Sequence, residues 1–153
     1  MTDAEFQARP RRALRVSVVA AVVLIVVFSV VGALLRNTPT GVYFRVSDQV
    51  AMVLVGVLLA GGALLFARPR VRAGARGVEV RNLLGSRLVP WELVLRVSFP
   101  DGAPWARLEL PDDEYIAIMA IQSADGRYAV EAIRGLRAVH AKHTAPRAPG
   151  RER

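Results

Sequence analysis

The chain has 153 residues, a net charge of +8 and no cysteine. The lack of cysteine excludes disulfides, thiolate metal sites, iron–sulfur clusters and cysteine nucleophiles. Apolar residues make up 53% of the sequence and are concentrated in its first half, so the remainder is long enough for one small domain.

Two uncharged apolar runs lie in that first half, Val16 to Leu35 and Val50 to Ala67. A helix needs about 20 apolar residues to cross a hydrocarbon core of ~30 Å, so each run predicts a transmembrane helix. The first run is longer than the roughly 7–15 apolar residues of a secretory signal, and no small-residue cleavage site follows it. The sequence therefore favours an uncleaved anchor over a signal peptide.

The distribution of arginine predicts the orientation of these helices. Four arginines lie in residues 9–15 and five in residues 68–81, but the loop between the two runs holds only Arg36 and Arg45. Basic residues close to a span favour the cytoplasmic side. We expect a multi-pass protein of the inner (plasma) membrane with both termini in the cytoplasm. Neither run contains a charged residue, which argues against a transporter or channel.

After Ala67 the hydrophobic pattern changes to a period of two, which is typical of β-strands. The predicted strands cover residues 71–73, 78–81, 87–89, 93–99, 105–110 and 115–121, with turns at Asp101–Gly102 and Pro111–Glu114. In the strand at 93–99, Leu93, Leu95, Val97 and Phe99 are expected to share one face. Short strands joined by tight turns favour a small barrel or sandwich.

The last predicted element is an amphipathic helix. Ser123 or Asp125 can cap its start. Apolar residues at helical spacing mark one face of it, namely Val130, Ile133, Leu136 and Val139. The predicted fold is thus a membrane α-helical hairpin followed by a small α+β domain. In that domain six or seven antiparallel strands form a partly open barrel that one C-terminal helix caps.

The sequence divides into six segments on this interpretation. They are a basic cytoplasmic N-terminus (1–15), two transmembrane helices (16–35 and 50–67), a short outer loop (36–49), a cytoplasmic domain (68–143) and a disordered tail (144–153). We expect residues 70–143 to fold alone.

Three stretches of the cytoplasmic segment resemble the bacterial PH-like domains found behind two membrane spans in actinobacterial proteins. The first runs from Gly77-Val78-Glu79-Val80-Arg81-Asn82 through Val89-Pro90-Trp91-Glu92, the second from Trp105 to Leu110, and the third from Ala120 to Gly126. The resemblance implies a PH-like fold over residues 68–143. PH domains that bind phosphoinositides carry clustered basic residues around the first hairpin loop, here Gly74 to Gly77, and the arginine spacing does not reproduce that motif.

The leading candidate site is a membrane-proximal basic cluster of five arginines with one acidic residue, Glu79, among them. Its members are Arg68, Arg70, Arg72, Arg76 and Arg81. Each basic group beside an anionic leaflet is attracted to it by about 1 kcal/mol. The cluster could hold the domain against lipid, or it could serve only to set the topology.

Other polar groups favour structural roles. His140 and His143 lie three residues apart with no carboxylate or cysteine placed beside them, and Asp112-Asp113-Glu114 reads as a solvated turn. Trp91 and Trp105 are expected to fill the core of the barrel or to cover its mouth. We predict no catalytic residues, no metal and no cofactor. Residues 68–153 carry fifteen basic and ten acidic side chains, and the excess lies next to the spans, so no nucleic-acid partner is predicted.

The sequence favours a non-enzymatic, membrane-anchored binding or scaffold module. It would present a protein-interaction surface, for a partner or for self-association, at the cytoplasmic face of the membrane. An anionic-lipid-sensing module is the main alternative, and an enzyme subunit is a third.

Overall fold

The computed structural model describes residues 4–37 and 45–145 of the chain. The chain divides into two compact units. Residues 11–68 form the first, which we call the helical unit, and residues 1–10 together with 69–153 form the second, the β unit. Residues 38–44 of the predicted outer loop and the tail beyond Ala145 lie outside the described residues.

The helical unit is a hairpin of α1 (Arg11–Asn37) and α2 (Val46–Leu65). A Cβ atom on Gly56 would lie 2.7 Å from the Cβ atom of Phe28, so the missing side chain lets the antiparallel helices approach closely. Much of the apolar surface is exposed, with Leu58 74% accessible. Both helices are long and apolar enough to cross a membrane, and they contain most of the two predicted spans.

The β unit contains seven described strands and one long helix. In chain order they are β1 (Ala4–Ala8), β2 (Arg70–Gly74), β3 (Gly77–Arg81), β4 (Ser86–Val89), β5 (Arg96–Ser98), β6 (Trp105–Glu109), β7 (Tyr115–Gln122) and α3 (Arg127–Thr144). The strands form two antiparallel sheets, a four-stranded sheet in the order β1-β2-β3-β4 and a three-stranded sheet in the order β5-β6-β7. This arrangement confirms the predicted fold class of a helical hairpin with a PH-like α+β domain.

The hydrophobic core of the β unit lies between the sheets and α3. Its fully buried side chains include Val71 and Val78 from the first sheet, Leu108 and Ile118 from the second, and Leu136 from α3. Alternate residues of β2, β3 and β6 point into this core, as the period of two predicted. Burial of these side chains is the main stabilising contribution to the unit.

Strand β1 was not predicted, because residues 1–15 were interpreted as a basic cytoplasmic N-terminus. Its residues pair with β2, with Ala8 opposite Val71 and Gln7 opposite Arg72. The Phe6 ring contacts Gly135 of α3, where an added Cβ atom would lie only 2.7 Å from a ring carbon. Glycine at this position therefore leaves room for Phe6, and the N-terminal segment is an integral part of the β unit.

The predicted strand at residues 93–99 is wrong in its first half. Residues Trp91–Leu93 form a short 3-10 turn, closed by a hydrogen bond from Val94 N–H to the Trp91 carbonyl (3.1 Å). This turn shifts the phase of the alternation. Val94 and Val97 are buried, whereas Leu95 is 62% exposed.

Helix α3 buries Ile133 and Leu136 of the predicted apolar face, but its other buried residues differ from that prediction. Ala129, Ala132, Ile133 and Leu136 are buried, whereas Val130 is 47% exposed. The small alanines let the helix lie close to the sheets. The predicted cap is also wrong, since a 3-10 turn at Ser123–Asp125 precedes the helix and its N-cap is Gly126, with no side-chain cap bond.

Candidate functional site

Three arginines of the predicted basic cluster share the outer face of the four-stranded sheet. Alternation along β2 and β3 places Arg70, Arg72 and Arg81 on this face, half-buried, while Val71 and Val80 point to the core. Arg70 lies directly opposite Arg81, and Arg72 lies opposite Glu79. We call Arg70, Arg72, Glu79 and Arg81 the arginine face.

The positive charges of this face are crowded. Burial lowers the pKa of Arg70 from its ordinary value, and the positive charges of Arg72, Arg81 and Arg9 lower it further, whereas Glu79 acts in the opposite direction. Within the part of the chain that the structure describes, the Nε atoms of Arg70 and Arg72 are buried without a hydrogen-bond partner. An anion bound here would relieve the repulsion and pair these donors.

A concave cavity of about 360 Å³ lies at one end of the arginine face. Its charged and polar lining residues are Arg72, Arg76, Glu79 and Ser86, and Leu88 adds an apolar wall. The size suits a small ligand. The lining offers guanidinium groups, one carboxylate and one hydroxyl, a set suited to holding an anionic or mixed-charge group.

The five predicted cluster residues lie on different elements of the chain. Arg70, Arg72 and Arg81 share the arginine face, and Arg76 lies in the turn between β2 and β3, at the cavity. Arg68 belongs to the helical unit, where its N–H donates to the Leu65 carbonyl after α2. Arg9 was not predicted to belong to the basic cluster, because nothing in its local sequence pattern indicates strand β1.

A second concave region lies beside the N-terminal half of α3, with a volume of about 410 Å³. We call it the α3 groove, and it is lined by Phe99, Ser123, Gly126, Ala129, Val130, Ile133 and Arg137. Next to it, α3 covers backbone carbonyls before and within β5, an edge strand. Arg137 Nε donates to the Val97 carbonyl and His140 Nε2 to the Val94 carbonyl, both at 2.9 Å. The groove is therefore mainly apolar and has one cation at its rim.

Both histidines lie against Trp91, which is buried in the core as predicted. The His143 ring stacks on the Trp91 ring at a centroid distance of 5.6 Å, and the Trp91 indole N–H donates to the Gly74 carbonyl. His143 also contacts Glu5 of β1 (3.1 Å), and Lys142 Nζ lies 2.7 Å from the same carboxylate. These contacts hold β1 to the end of α3.

The remaining residues that the sequence singled out lie in an exposed turn or at the start of a strand. Asp112 and Asp113 lie in the exposed turn between β6 and β7, both with positive φ, and Trp105 is half-buried at the start of β6. Across the described residues, no group of three or more histidine or acidic side chains is placed to hold a metal ion.

The contact between Glu5 and α3 predicts a pH-dependent stability. The Lys142 hydrogen bond, followed by that of His143, lowers the pKa of Glu5 below its ordinary value of 4.5. A depressed carboxyl pKa stabilises the fold above the unfolded-state pKa, and this stabilisation disappears as the pH falls through the folded-state pKa. We expect Glu5→Gln to lower the unfolding midpoint at pH 7 but not at pH 3.

Tryptophan fluorescence of the full chain in detergent checks this, because both tryptophans lie in the β unit. Glu114→Gln, which alters an exposed turn carboxylate, is the matched control and should leave both midpoints unchanged. Equal destabilisation by Glu5→Gln at the two pH values would contradict the prediction.

The fold and the two concave surfaces define a PH-like domain joined to an apolar helical hairpin. Residues 68–144 match the family described as the bacterial PH domain, and the chain belongs to this family.

Similar proteins occur in two mycobacterial species. An uncharacterised protein of Mycobacterium tuberculosis (strain H37Rv) is 52% identical over 125 residues, which cover 81% of each chain, and a protein of Mycobacterium bovis matches equally. Low molecular weight protein antigen 6 of M. tuberculosis is 38% identical over 68 residues, or 44% of this chain and 60% of that protein. No solved structure matches the chain.

Proposed function

We propose that this chain is a non-enzymatic binding module that its helical hairpin anchors in the plasma membrane, with the β unit in the cytoplasm. The observation that carries the proposal is the pairing of β1 with β2. These adjacent strands flank the hairpin in sequence, so the hairpin is an insertion between two paired strands of the PH-like domain.

This connectivity restricts the topology. Two residues separate β1 from α1 and four separate α2 from β2, and Ala8 lies opposite Val71. If the hairpin spans the membrane, its two ends must leave on the side that holds the β unit. The arginine-rich flanks favour the cytoplasmic side.

We therefore expect an alkaline phosphatase fusion to be active at Thr40 and inactive at the C-terminus. A fluorescent-protein fusion should show the opposite pattern. Paired alkaline phosphatase and fluorescent-protein fusions in bacterial cells measure this. Phosphatase activity at the C-terminus would refute the orientation.

Binding is the role that the concave surfaces support. The α3 groove is the proposed protein-interaction surface, because the exposed Val130 and the half-buried Phe99 present apolar area beside the charged Arg137.

A photo-crosslinking residue tests the proposed surface in intact membranes. Placed at Val130, it should give a discrete adduct with a partner or with a second copy of the chain. Placed at Ala138, an exposed position of the same helix that does not line the groove, it should not. Identical adduct patterns at both positions would argue against the groove.

The arginine face supports a second candidate function, the sensing of anionic lipid. The crowded guanidinium groups and unpartnered Nε atoms of Arg70 and Arg72 suit phosphate oxygens. A label on the β unit should then lie closer to anionic than to neutral bilayers. The difference should vanish as the Debye length falls from ~10 Å at 0.1 M salt to ~3 Å at 1 M. The same separation in both lipids would remove this candidate.

A further inference from the structure

We propose that the loop between β3 and β4, residues 82–85, inserts Leu84 into the interfacial region of the lipid bilayer. The loop would give the β unit a point of membrane attachment beyond its two covalent connections. The inference rests on the proposed membrane anchoring and names a new contact surface, with lipid as its partner.

The position of the loop in the four-stranded sheet supports this contact. Arg70 at the start of β2 lies opposite Arg81 at the end of β3, and Arg81 lies opposite Ser86 at the start of β4. Ala8, at the end of β1, lies opposite Val71. The loop therefore occupies the same end of the sheet as the two chain connections that lead to α1 and α2.

The exposure of Leu84 also supports insertion. Its side chain is 100% accessible, the highest value among the large hydrophobic residues that the structure describes. Neighbouring Leu83 is half-buried. A single apolar side chain at the tip of a loop suits the boundary between headgroups and acyl chains.

Hydrogen bonds hold the loop in place before it meets any lipid. Asn82 N–H donates to the Gly85 carbonyl at 2.9 Å, which closes the turn. The Asn82 side chain bridges to β7 of the other sheet, since its Nδ2 donates to the Ala117 carbonyl (2.8 Å) and its Oδ1 accepts from Met119 N–H (3.2 Å). Presenting Leu84 therefore requires little further ordering of the backbone.

The residues around the loop carry positive charge. Arg81 and Arg87 lie in the strands on either side of the loop, and the sequence holds no acidic residue from position 80 to 91. An apolar tip with basic neighbours matches an anionic leaflet, where lipid phosphates attract arginine and the acyl boundary accepts leucine. A protein partner for Leu84 has no comparable support from its surroundings.

Spin labels on the full chain in phosphatidylglycerol-containing vesicles test the proposal. The natural chain has no cysteine, so single-cysteine variants carry one label each. Leu84→Cys reports on the loop. Ala75→Cys is the matched control, since it is exposed in the β2–β3 turn at the opposite end of the sheet, and Val26→Cys reports on α1.

We expect the label at position 84 to collide several-fold less with a water-soluble nickel complex, and more with oxygen, than the label at 75. Equal accessibility at 84 and 75, with position 26 in lipid, would overturn the insertion of Leu84 and leave the anchored module intact. An aqueous label at position 26 would overturn the anchoring and this inference together. Shielding at 84 that disappears when the protein is diluted in excess lipid would indicate contact between copies and would also overturn the proposal.

Discussion

Replacing Ile133 by aspartate is expected to unfold the β unit. Ile133 is only 7% exposed and lies on the face of α3 that packs against the sheets, close in sequence to the fully buried Leu136. An unpaired carboxylate in an apolar core costs several kcal/mol, and the stability of a whole domain is only about 5–15 kcal/mol. The emission of Trp91 and Trp105 should shift to that of the urea-unfolded chain.

Val130→Asp is the matched control, because Val130 lies three residues away on the same helix. The sequence pattern placed it on the buried face, but its side chain is 47% exposed. We expect this variant to remain folded with a small loss of stability, since a solvated charge needs no partner. A folded Ile133→Asp, or an equally unfolded Val130→Asp, would show that the face of α3 is wrongly assigned.

The sequence predicts the fold well where local patterns agree with tertiary packing. Strand β6 and the part of β3 from Val78 onward alternate between core and surface, and turn residues bound both strands, so each can be located from a few residues. The prediction of a strand over residues 93–99 was wrong in its first half because of the 3-10 turn at Trp91–Leu93. That turn is fixed by the burial of Trp91 and its bond to Gly74, which lie outside any local pattern.

The candidate site was predictable only within one hairpin. The period of two along β2 and β3 is enough to put Arg70, Arg72 and Arg81 on one face. It cannot reveal that Arg9 acts on Arg70, because that proximity depends on pairing across more than sixty residues of sequence.

Strand β1 is part of the β unit, although the sequence pattern assigned that unit to residues 68–143 alone. Ala8 and Pro10 are buried, and Phe6 packs in the space above Gly135. A chain of residues 69–145 would lose these contacts and leave β2 as an open edge. We expect it to be less stable by about 3 kcal/mol or more, since removing one packed phenylalanine side chain costs that much.

Restoring β1 without the hairpin should restore the fold. Because Ala8 lies opposite Val71, a short Gly–Ser linker can join Pro10 to Pro69 in place of residues 11–68, so that β1 and β2 become an ordinary hairpin. Urea unfolding monitored by tryptophan fluorescence compares this joined chain with residues 69–145. In the joined chain, Phe6→Ala should reproduce much of the loss, whereas Gln7→Ala, at an exposed position of the same strand, should not. Equal stability of the two chains would mean that residues 70–143 fold alone, as the sequence pattern predicts, and that β1 contributes only a connection to the helices.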